Sequence, residues 1–226
     1  MPGSNYHQLD AVVGVMVKLK PRRILDVGVG FGKYGVLARE YLDLWEGEEK
    51  GKDAYRNFET IVDGIEVYKE YLTPLHDFVY NHVYAGDAAN VVPTLKGTYD
   101  LALFIDVIEH MGKEEGLALL RNLLKKCRNV IVSTPHDIGH QHALFGNPHE
   151  HHVFQWEPVH FEAFPKRALI PNDASLIYVL GEDAEEISAL ARQREWAALK
   201  RSIRTLFPFL VAPYLALKRL LRHVFS

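Results

Sequence analysis

The sequence has little cysteine and no long apolar run, and each shortage narrows the kind of protein it can be. Among its 226 residues Cys127 is the one cysteine, so no disulfide can form within one chain and a reducing compartment is the expectation. The longest apolar stretch, residues 206–217, is interrupted by two prolines and is shorter than the ~20 residues that span a bilayer. The first residues lack the basic and then apolar layout of a signal peptide. We therefore expect a cytoplasmic protein without a membrane span.

Composition and charge indicate one globular domain with a basic tail. The chain is 48% hydrophobic and 24% charged, which is typical of a folded domain with a sizeable core. Residues 191–226 carry eight Lys and Arg against one acidic residue, a net charge of +7, whereas residues 1–190 carry 18 against 28, a net charge of −10. A predicted helix at Ala184–Leu206 and a second segment after Pro213 are amphipathic and basic, which fits peripheral contact of residues 184–226 with an anionic membrane. Packing against the body or a second subunit is the alternative, and both stay open.

Short apolar runs alternate with helical patterns along the first 181 residues. The helical segments are residues 34–44, 68–80 and 113–126, and the strand candidates are Arg23–Val27, Ile61–Glu66, His82–Ala85, Leu101–Asp106, Asn129–Ser133 and Ser175–Leu180. This alternation predicts an α/β fold with a doubly wound, mostly parallel sheet. We predict one domain at residues 1–181 and a helical tail at residues 182–226. Sheets of this kind bind ligands beyond the carboxyl ends of their strands, so chemistry is expected directly after each strand.

Two insertions depart from a minimal α/β domain. Residues 46–58 are rich in charge and glycine and are predicted to form a solvated loop. Residues 135–154 are apolar and aromatic, and seven of the twelve histidines lie between positions 136 and 160. A loop of that length inside a domain is usually functional.

A glycine-rich loop follows the first predicted strand. The segment Asp26-Val27-Gly28-Val29-Gly30-Phe31-Gly32 runs from a buried strand towards a helix. Glycine is needed where the backbone turns sharply and a ligand approaches the main chain, and the helix N-terminus offers free amides to an anionic group. A dinucleotide-binding fingerprint would place its third glycine at position 33, which is Lys33, and an acid about 20 residues further on. The next acid at a strand end is instead Glu66.

This loop resembles the first motif of the class I S-adenosylmethionine-dependent methyltransferases, D-x-G-x-G-x-G, and the later motifs of that family follow in order over about residues 20 to 181. Glu66 matches the acid that holds the ribose hydroxyls, Gly86-Asp87-Ala88 matches the block that meets adenine, and Asp106 ends the motif beside the reacting methyl. The resemblance implies a seven-stranded Rossmann-like sheet and S-adenosylmethionine as cofactor. The cofactor-binding residues that it implies are Asp26, Gly28, Gly30, Gly32, Glu66, Asp87, Ala88 and Asp106.

Acids and histidines cluster after the fourth and fifth strands. Carboxylates suit hard divalent cations and imidazole suits borderline ones, and Asp106, Glu109 and His110 could project from one turn into the same cleft. A narrower resemblance is to metal-dependent 2′-O-methyltransferases that act on the 3′ ends of small RNAs, with patterns E-V-I-E-H-M, V-S-T-P-N and H-x-F-x-W. It implies that Asp106, Glu109, His110 and His152 bind a divalent metal, Mg, Mn or Zn.

The chain departs from that narrower family in three ways. Asp106 replaces its Glu, His136 replaces its Asn, and the Phe-x-Pro-Pro-Leu segment ahead of the glycine loop is not found. A broader set of bacterial methyltransferases shares the Asn-Pro-x-Glu-x-His pattern of residues 147–152. Without metal, Glu109 and His110 could act as an acid and base pair, and His110, His136 or His152 could serve as general base.

Together these patterns predict an enzyme that transfers methyl from S-adenosylmethionine to a hydroxyl of a small molecule or glycan. Phe145, Phe154 and Trp156 are candidates for an acceptor lid, and packing of the loop onto the body is the alternative. A methyltransferase of RNA 3′ ends is the first competing hypothesis. The second is a non-catalytic adaptor that keeps the glycine loop and contacts a membrane or a protein through its basic tail.

Overall fold

A mixed sheet forms the centre of the fold in this computed structural model, which describes residues 4–45, 55 and 57–206. Its seven strands in the described part are β1 (Arg23–Val27), β2 (Ile61–Glu66), β3 (His82–Ala85), β4 (Tyr99–Ile105), β5 (Cys127–Pro135), β6 (Arg167–Ile170) and β7 (Ser175–Gly181). Their order across the sheet is β3-β2-β1-β4-β5-β7-β6. The pairs from β3 to β5 are parallel, and β7 runs antiparallel to both β5 and β6.

Helices cover both faces of the sheet, as a doubly wound fold requires. They are α1 (Leu9–Leu19), α2 (Lys33–Ala38), α3 (Pro74–Val79), α4 (Ala88–Thr94) and α5 (Lys113–Lys126). A further helix, α6 (Ala184–Leu206), follows β7 in the chain. Because helices shield both faces, the central strands are largely apolar, and residues 101–105 of β4 are all buried. The predicted α/β fold with a mostly parallel sheet is therefore confirmed.

The first three strands have the bounds that the sequence predicts. The bounds of β4 and β5 differ from the predicted ones by one or two residues at each end, and β7 is one residue longer than predicted. The strand β6 was not among the candidates. It is a short strand at the edge of the sheet with alternating burial, and its four residues give too little pattern to separate it from a loop.

The predicted helix at residues 68–80 was wrong as one element. The segment splits into a turn of 3₁₀-helix at Lys69–Tyr71 and the separate helix α3. Thr73 is the N-cap of α3 and Pro74 occupies its first turn, where proline is tolerated because its missing N–H has no intrahelical partner. In the segment 34–44, α2 continues into a π-helical turn at Arg39–Leu44.

The C-terminal helix begins and ends at the predicted residues. The described residues up to Ile187 form one compact unit, and those from Ser188 onward belong to a second. The predicted segment after Pro213 lies outside the described residues, as does most of the predicted loop at residues 46–58. No helix of the described chain is long and apolar enough to cross a membrane. The membrane contact of the tail and the domain boundary after residue 181 stay predictions.

Candidate active site

An open cleft lies at the carboxyl ends of the parallel strands. Its empty volume is about 1080 Å³, including the part that is open to solvent. The glycine loop after β1 and the residues that follow β2, β3 and β4 form its walls. Part of the long loop after β5, residues 136–157, also lines it, and this segment is called the histidine-rich loop below. The predicted cofactor residues that line it are Gly28, Gly30, Glu66, Asp87, Ala88 and Asp106.

The glycine loop can turn this tightly because three of its residues are glycines with positive φ. Gly28 has φ +80°, and a Cβ there would lie 2.5 Å from Cγ2 of Val107. The backbone N–H groups of Gly28 and Val29 both donate to the carbonyl of Ile65, which ties the loop to the end of β2. Gly32 has φ +89° and precedes α2, but it does not line the cleft. The glycine at position 32 therefore serves the turn, and its contact with a cofactor stays a prediction.

The carboxylate of Glu66 is buried and held in place at the end of β2. Its Oε2 accepts from the Gly30 N–H at 2.9 Å, and its Oε1 accepts from the Tyr68 N–H at 2.9 Å. Burial raises the pKa of Glu66, and these two backbone donors act against that rise. Each oxygen keeps a further lone pair, so this carboxylate can accept hydrogen bonds from a pair of hydroxyl groups in the cleft.

Asp26 and Asp87 are placed differently from each other. Asp26 is 3% exposed, accepts a hydrogen bond of 2.6 Å from the Tyr80 hydroxyl and does not line the cleft. Burial raises its pKa to about 7. Asp87 lines the cleft and caps α4, with its Oδ1 accepting from the Ala89 N–H at 2.8 Å. Direct contact of Asp26 with the cofactor therefore stays a prediction.

Asp106 faces the glycine-loop side of the cleft. Its Oδ1 accepts from the Ser133 hydroxyl at 2.7 Å and its Oδ2 accepts from the Gln8 side chain at 2.6 Å. It has φ +52°, and a non-glycine residue in this strained region is characteristic of functional sites. Burial raises the pKa of Asp106, and its hydrogen bonds with Ser133 and Gln8 lower it.

Three of the four predicted metal ligands come together. Within the described residues, one ligand atom from each of Glu109, His110 and His152 lies within 4.8 Å of the other two. Asp106 is not in this group, and its carboxylate accepts hydrogen bonds from Ser133 and Gln8. The fourth predicted ligand thus lines the same cleft without joining the cluster.

In both histidines of this cluster, Nδ1 is bonded to a backbone carbonyl. Nδ1 of His110 donates to the carbonyl of His151 at 3.0 Å, and Nδ1 of His152 donates to the carbonyl of Ile138. A backbone carbonyl can only accept, so each Nδ1 carries the proton and each Nε2 keeps its lone pair. Burial lowers the pKa of His110, which keeps its ring neutral near pH 7.

Glu109 completes an arrangement that fits a divalent cation. It is 1% exposed, and its Oε2 has no hydrogen-bond partner among the described residues. Burial raises the pKa of Glu109 well above its ordinary value. A buried carboxylate beside two imidazole lone pairs is a donor set that borderline metals bind, and a cation there would supply the missing partner.

The histidine-rich loop is anchored to the body beside this cluster. The N–H groups of Val153 and Phe154 donate to the carbonyl of Glu109. Trp156 is 1% exposed, and its indole N–H donates to the carbonyl of Ile108 at 2.9 Å. The packing alternative is therefore correct for Trp156, and Phe154 also packs against the core. Phe145 differs, with 69% of its surface exposed.

Some lining residues were missed by the sequence reasoning, and one predicted base lies elsewhere. The missed residues include Lys33, Tyr71, Asn147 and Glu150, and His149 also lines the cleft. The Asn-Pro-x-Glu-x-His pattern contains two of them, but the resemblance drew attention to its last histidine alone. His136 does not line the cleft, and its Nε2 bonds the carbonyl of Asn172 at 2.9 Å. Its role as a base stays a prediction.

Comparison with known proteins identifies the fold. No protein-family model matches the chain, and no curated protein sequence matches it. The methyltransferase domain of bacterial CtHen1-CN is 21% identical with a TM-score of 0.50, and the alignment covers 80% of this chain and 100% of that one. The N-terminal domain of EvdMO1 with SAH bound is 14% identical with a TM-score of 0.52, and coverage is 79% and 82%. TrmN from Thermus thermophilus is 16% identical with a TM-score of 0.51, and coverage is 80% and 50%.

At these identities the likeness concerns the fold. The chain has the Rossmann-like fold of the class I S-adenosylmethionine-dependent methyltransferases, as the order of its motifs predicts.

Proposed function

We propose that this protein is an S-adenosylmethionine-dependent methyltransferase that methylates a hydroxyl group of a small molecule or glycan, assisted by a divalent metal. The observation that carries this proposal is the cleft itself. It is lined at one place by the buried Glu66 carboxylate and the glycine loop, and at another by His110. A cofactor whose ribose is bound to Glu66 would therefore carry its sulfonium in the same cleft as His110.

The reaction needs alignment more than activation, because the sulfonium of the cofactor is already a good leaving group. A new C–O bond forms as the S–C bond breaks, which leaves S-adenosylhomocysteine and a methyl ether, and the hydroxyl proton passes to a base. Holding the two reactants in line and excluding water can contribute ~7–11 kcal/mol. In a site without metal, the Nε2 of His110 or His152 can accept the proton, because Nδ1 of each ring is bonded to a backbone carbonyl. With a metal bound, both Nε2 atoms would be ligands, and the proton would pass to water.

Glu109, His110 and His152 are the residues that would hold the metal. When bound, such a cation lowers the pKa of an acceptor hydroxyl and orients it. Of the predicted metals, Mn and Zn suit a site with two imidazoles and one carboxylate better than Mg does.

The proposal is tested by methyl transfer from tritiated S-adenosylmethionine to a panel of sugars, glycosides and phenols, with and without EDTA followed by Mn²⁺. We expect transfer that falls on chelation, returns with metal and is lost in His152→Ala. The variant His140→Ala removes an exposed histidine that neither belongs to the cluster nor lines the cleft, and it is the matched control. Transfer that EDTA leaves unchanged would contradict the metal, and no binding of S-adenosylhomocysteine by calorimetry would favour the adaptor hypothesis.

Methylation of RNA 3′ ends is the second candidate, and the arrangement of the cluster favours it. Three of the four ligands that the narrower resemblance implies, Glu109, His110 and His152, lie together, and the methyltransferase domain of CtHen1-CN shares the fold. Label transfer to a short RNA that is abolished by periodate oxidation of its terminal ribose would promote this candidate. Label transfer to sugars without transfer to any RNA end would exclude it.

A further inference from the structure

The Asn147–His152 motif reaches the cleft through a second residue besides its last histidine. Glu150 belongs to a 3₁₀ turn at Pro148–Glu150, is 7% exposed and lines the cleft. Its Oε1 accepts from the Tyr71 hydroxyl at 3.0 Å, and its Oε2 accepts from the Gln141 side chain at 3.2 Å. Because Tyr71 lies in the segment that follows Glu66, this bond joins the histidine-rich loop to the far wall of the cleft.

Glu150 lines the same cleft as Glu66 and His110. Burial raises the pKa of Glu66, and the charge of Glu150 adds to that rise. In S-adenosylmethionine the sulfur is joined to the 5′ carbon of the ribose, so a cofactor whose ribose is held by Glu66 would carry its positive charge in the cleft that Glu150 also lines.

The charges of the cleft favour a cation at that place. Its lining residues include Glu66, Asp87, Asp106, Glu115 and Glu150 but only one Lys or Arg, Lys33. The Lys33 ammonium donates to the Ser4 hydroxyl at 3.1 Å, on the glycine-loop side. A fixed carboxylate in a half-buried cleft attracts a positive charge more strongly than it would in water.

We propose that Glu150 is a specificity-determining residue that selects the positively charged S-adenosylmethionine over the uncharged thioether S-adenosylhomocysteine. This inference rests on the proposed function, because it assumes that the cleft binds that cofactor. The consequence is preferential release of the product, since methyl transfer removes the charge that Glu150 attracts.

The test compares the affinities of both compounds by calorimetry on the full chain, without an acceptor. In Glu150→Gln, which keeps hydrogen-bonding capacity and removes the charge, we expect binding of S-adenosylmethionine to weaken about tenfold. Binding of S-adenosylhomocysteine should change less than about twofold, because it carries no sulfonium. Glu150→Asp keeps the charge and should preserve the preference of the wild type.

Glu162→Gln is the matched control, because it removes one carboxylate from an exposed position away from the cleft. The inference is overturned if Glu150→Gln weakens both compounds equally, if the preference is unchanged, or if Glu162→Gln shifts it as much. A wild-type protein that binds neither compound would instead refute the proposed function. Thermal melts of each variant exclude loss of folding as the cause.

Discussion

At the scale of single residues, Glu66 carries the largest expected contribution to cofactor binding. Its carboxylate is fixed by the N–H groups of Gly30 and Tyr68, so no reorganisation is needed when hydroxyl groups arrive. Hydrogen bonds to charged groups are worth ~1.5–3 kcal/mol, and we expect Glu66→Ala to weaken S-adenosylhomocysteine roughly 10- to 100-fold in calorimetry. The exposed neighbour Glu70→Ala is the control. Equal affinity in the two variants would contradict the ribose contact.

Asp26 is the residue through which pH should act on stability. Burial raises its pKa to about 7 from an ordinary 3.8. Between these two values the folded state holds a proton that the unfolded state has lost. The contribution of this group to the free energy of unfolding therefore falls as pH rises from about 4 to 7, by up to ~1.4 kcal/mol per pH unit.

The variant Asp26→Asn removes this titration while its side-chain oxygen still accepts from Tyr80. We expect urea denaturation at pH 5 and pH 8 to show a smaller loss of stability with rising pH in Asp26→Asn than in the wild type. Asp100→Asn serves as the control. The Asp100 carboxylate accepts hydrogen bonds from the backbone N–H groups of Arg22 and Arg23, outside the cleft. Parallel pH profiles for wild type and Asp26→Asn would show that this carboxyl titrates normally.

At the scale of elements, the bounds of strands and helices are predicted best where the local sequence pattern and the burial agree. The apolar runs of β1 and β2 are bounded by charged or glycine residues, and their bounds were correct. The strand β6 lies at the edge and alternates in burial over four residues, so no run marks it. Thr73 and Pro74 are a cap and a helix start, and that local signal outweighs the periodicity of the segment 68–80.

The candidate site could be predicted less completely, because it depends on contacts between distant residues. Glu109, His110 and His152 were predicted as ligands, and the structure brings them together. Asp106 lies outside that group and is bonded to Gln8, which is 98 residues away in the chain. Glu150 lines the cleft and is bonded to Tyr71, which is 79 residues away. No local pattern encodes either contact.

The junction between α5 and the histidine-rich loop offers a test of this packing. A Cβ on Gly116 would lie 2.5 Å from Cζ2 of Trp156, whose indole is buried and bonded to Ile108. Ala is preferred over Gly inside a helix by ~1 kcal/mol, but overpacking a tight contact costs ~1–3 kcal/mol. We expect Gly116→Ala to lower the denaturation midpoint.

The control for this prediction is Gly112→Ala. A Cβ on Gly112, the N-cap of α5, meets no atom of the described chain within 4 Å, so this variant should leave the midpoint almost unchanged. A Gly116→Ala protein as stable as the wild type would show that the loop yields to the helix. Near-ultraviolet circular dichroism reports on Trp156 in both variants.

At the scale of the whole molecule, the cluster of Glu109, His110 and His152 joins two parts of the fold that are far apart in sequence. Glu109 and His110 follow β4, whereas His152 lies at the end of the histidine-rich loop. A cation bound by all three residues therefore binds the folded chain and not the unfolded one, and it should stabilise the fold by ~2.7 kcal/mol at 100 times its dissociation constant. For a chain of this size that corresponds to a rise in melting temperature of ~5–11 °C. We expect Mn²⁺ to produce this rise and EDTA to reverse it.

The neighbouring histidines separate this binding from adventitious metal capture. His152→Ala removes one ligand and should abolish the rise, whereas His151→Ala removes an exposed side chain and keeps the backbone carbonyl that accepts from His110. Asp106→Asn should also keep the rise, because Asp106 lies outside the cluster. An equal rise in His152→Ala and His151→Ala would place the metal elsewhere. Loss of the rise in melting temperature in Asp106→Asn would instead support the four-ligand site that the sequence predicts, because a site of Glu109, His110 and His152 alone would still bind the metal.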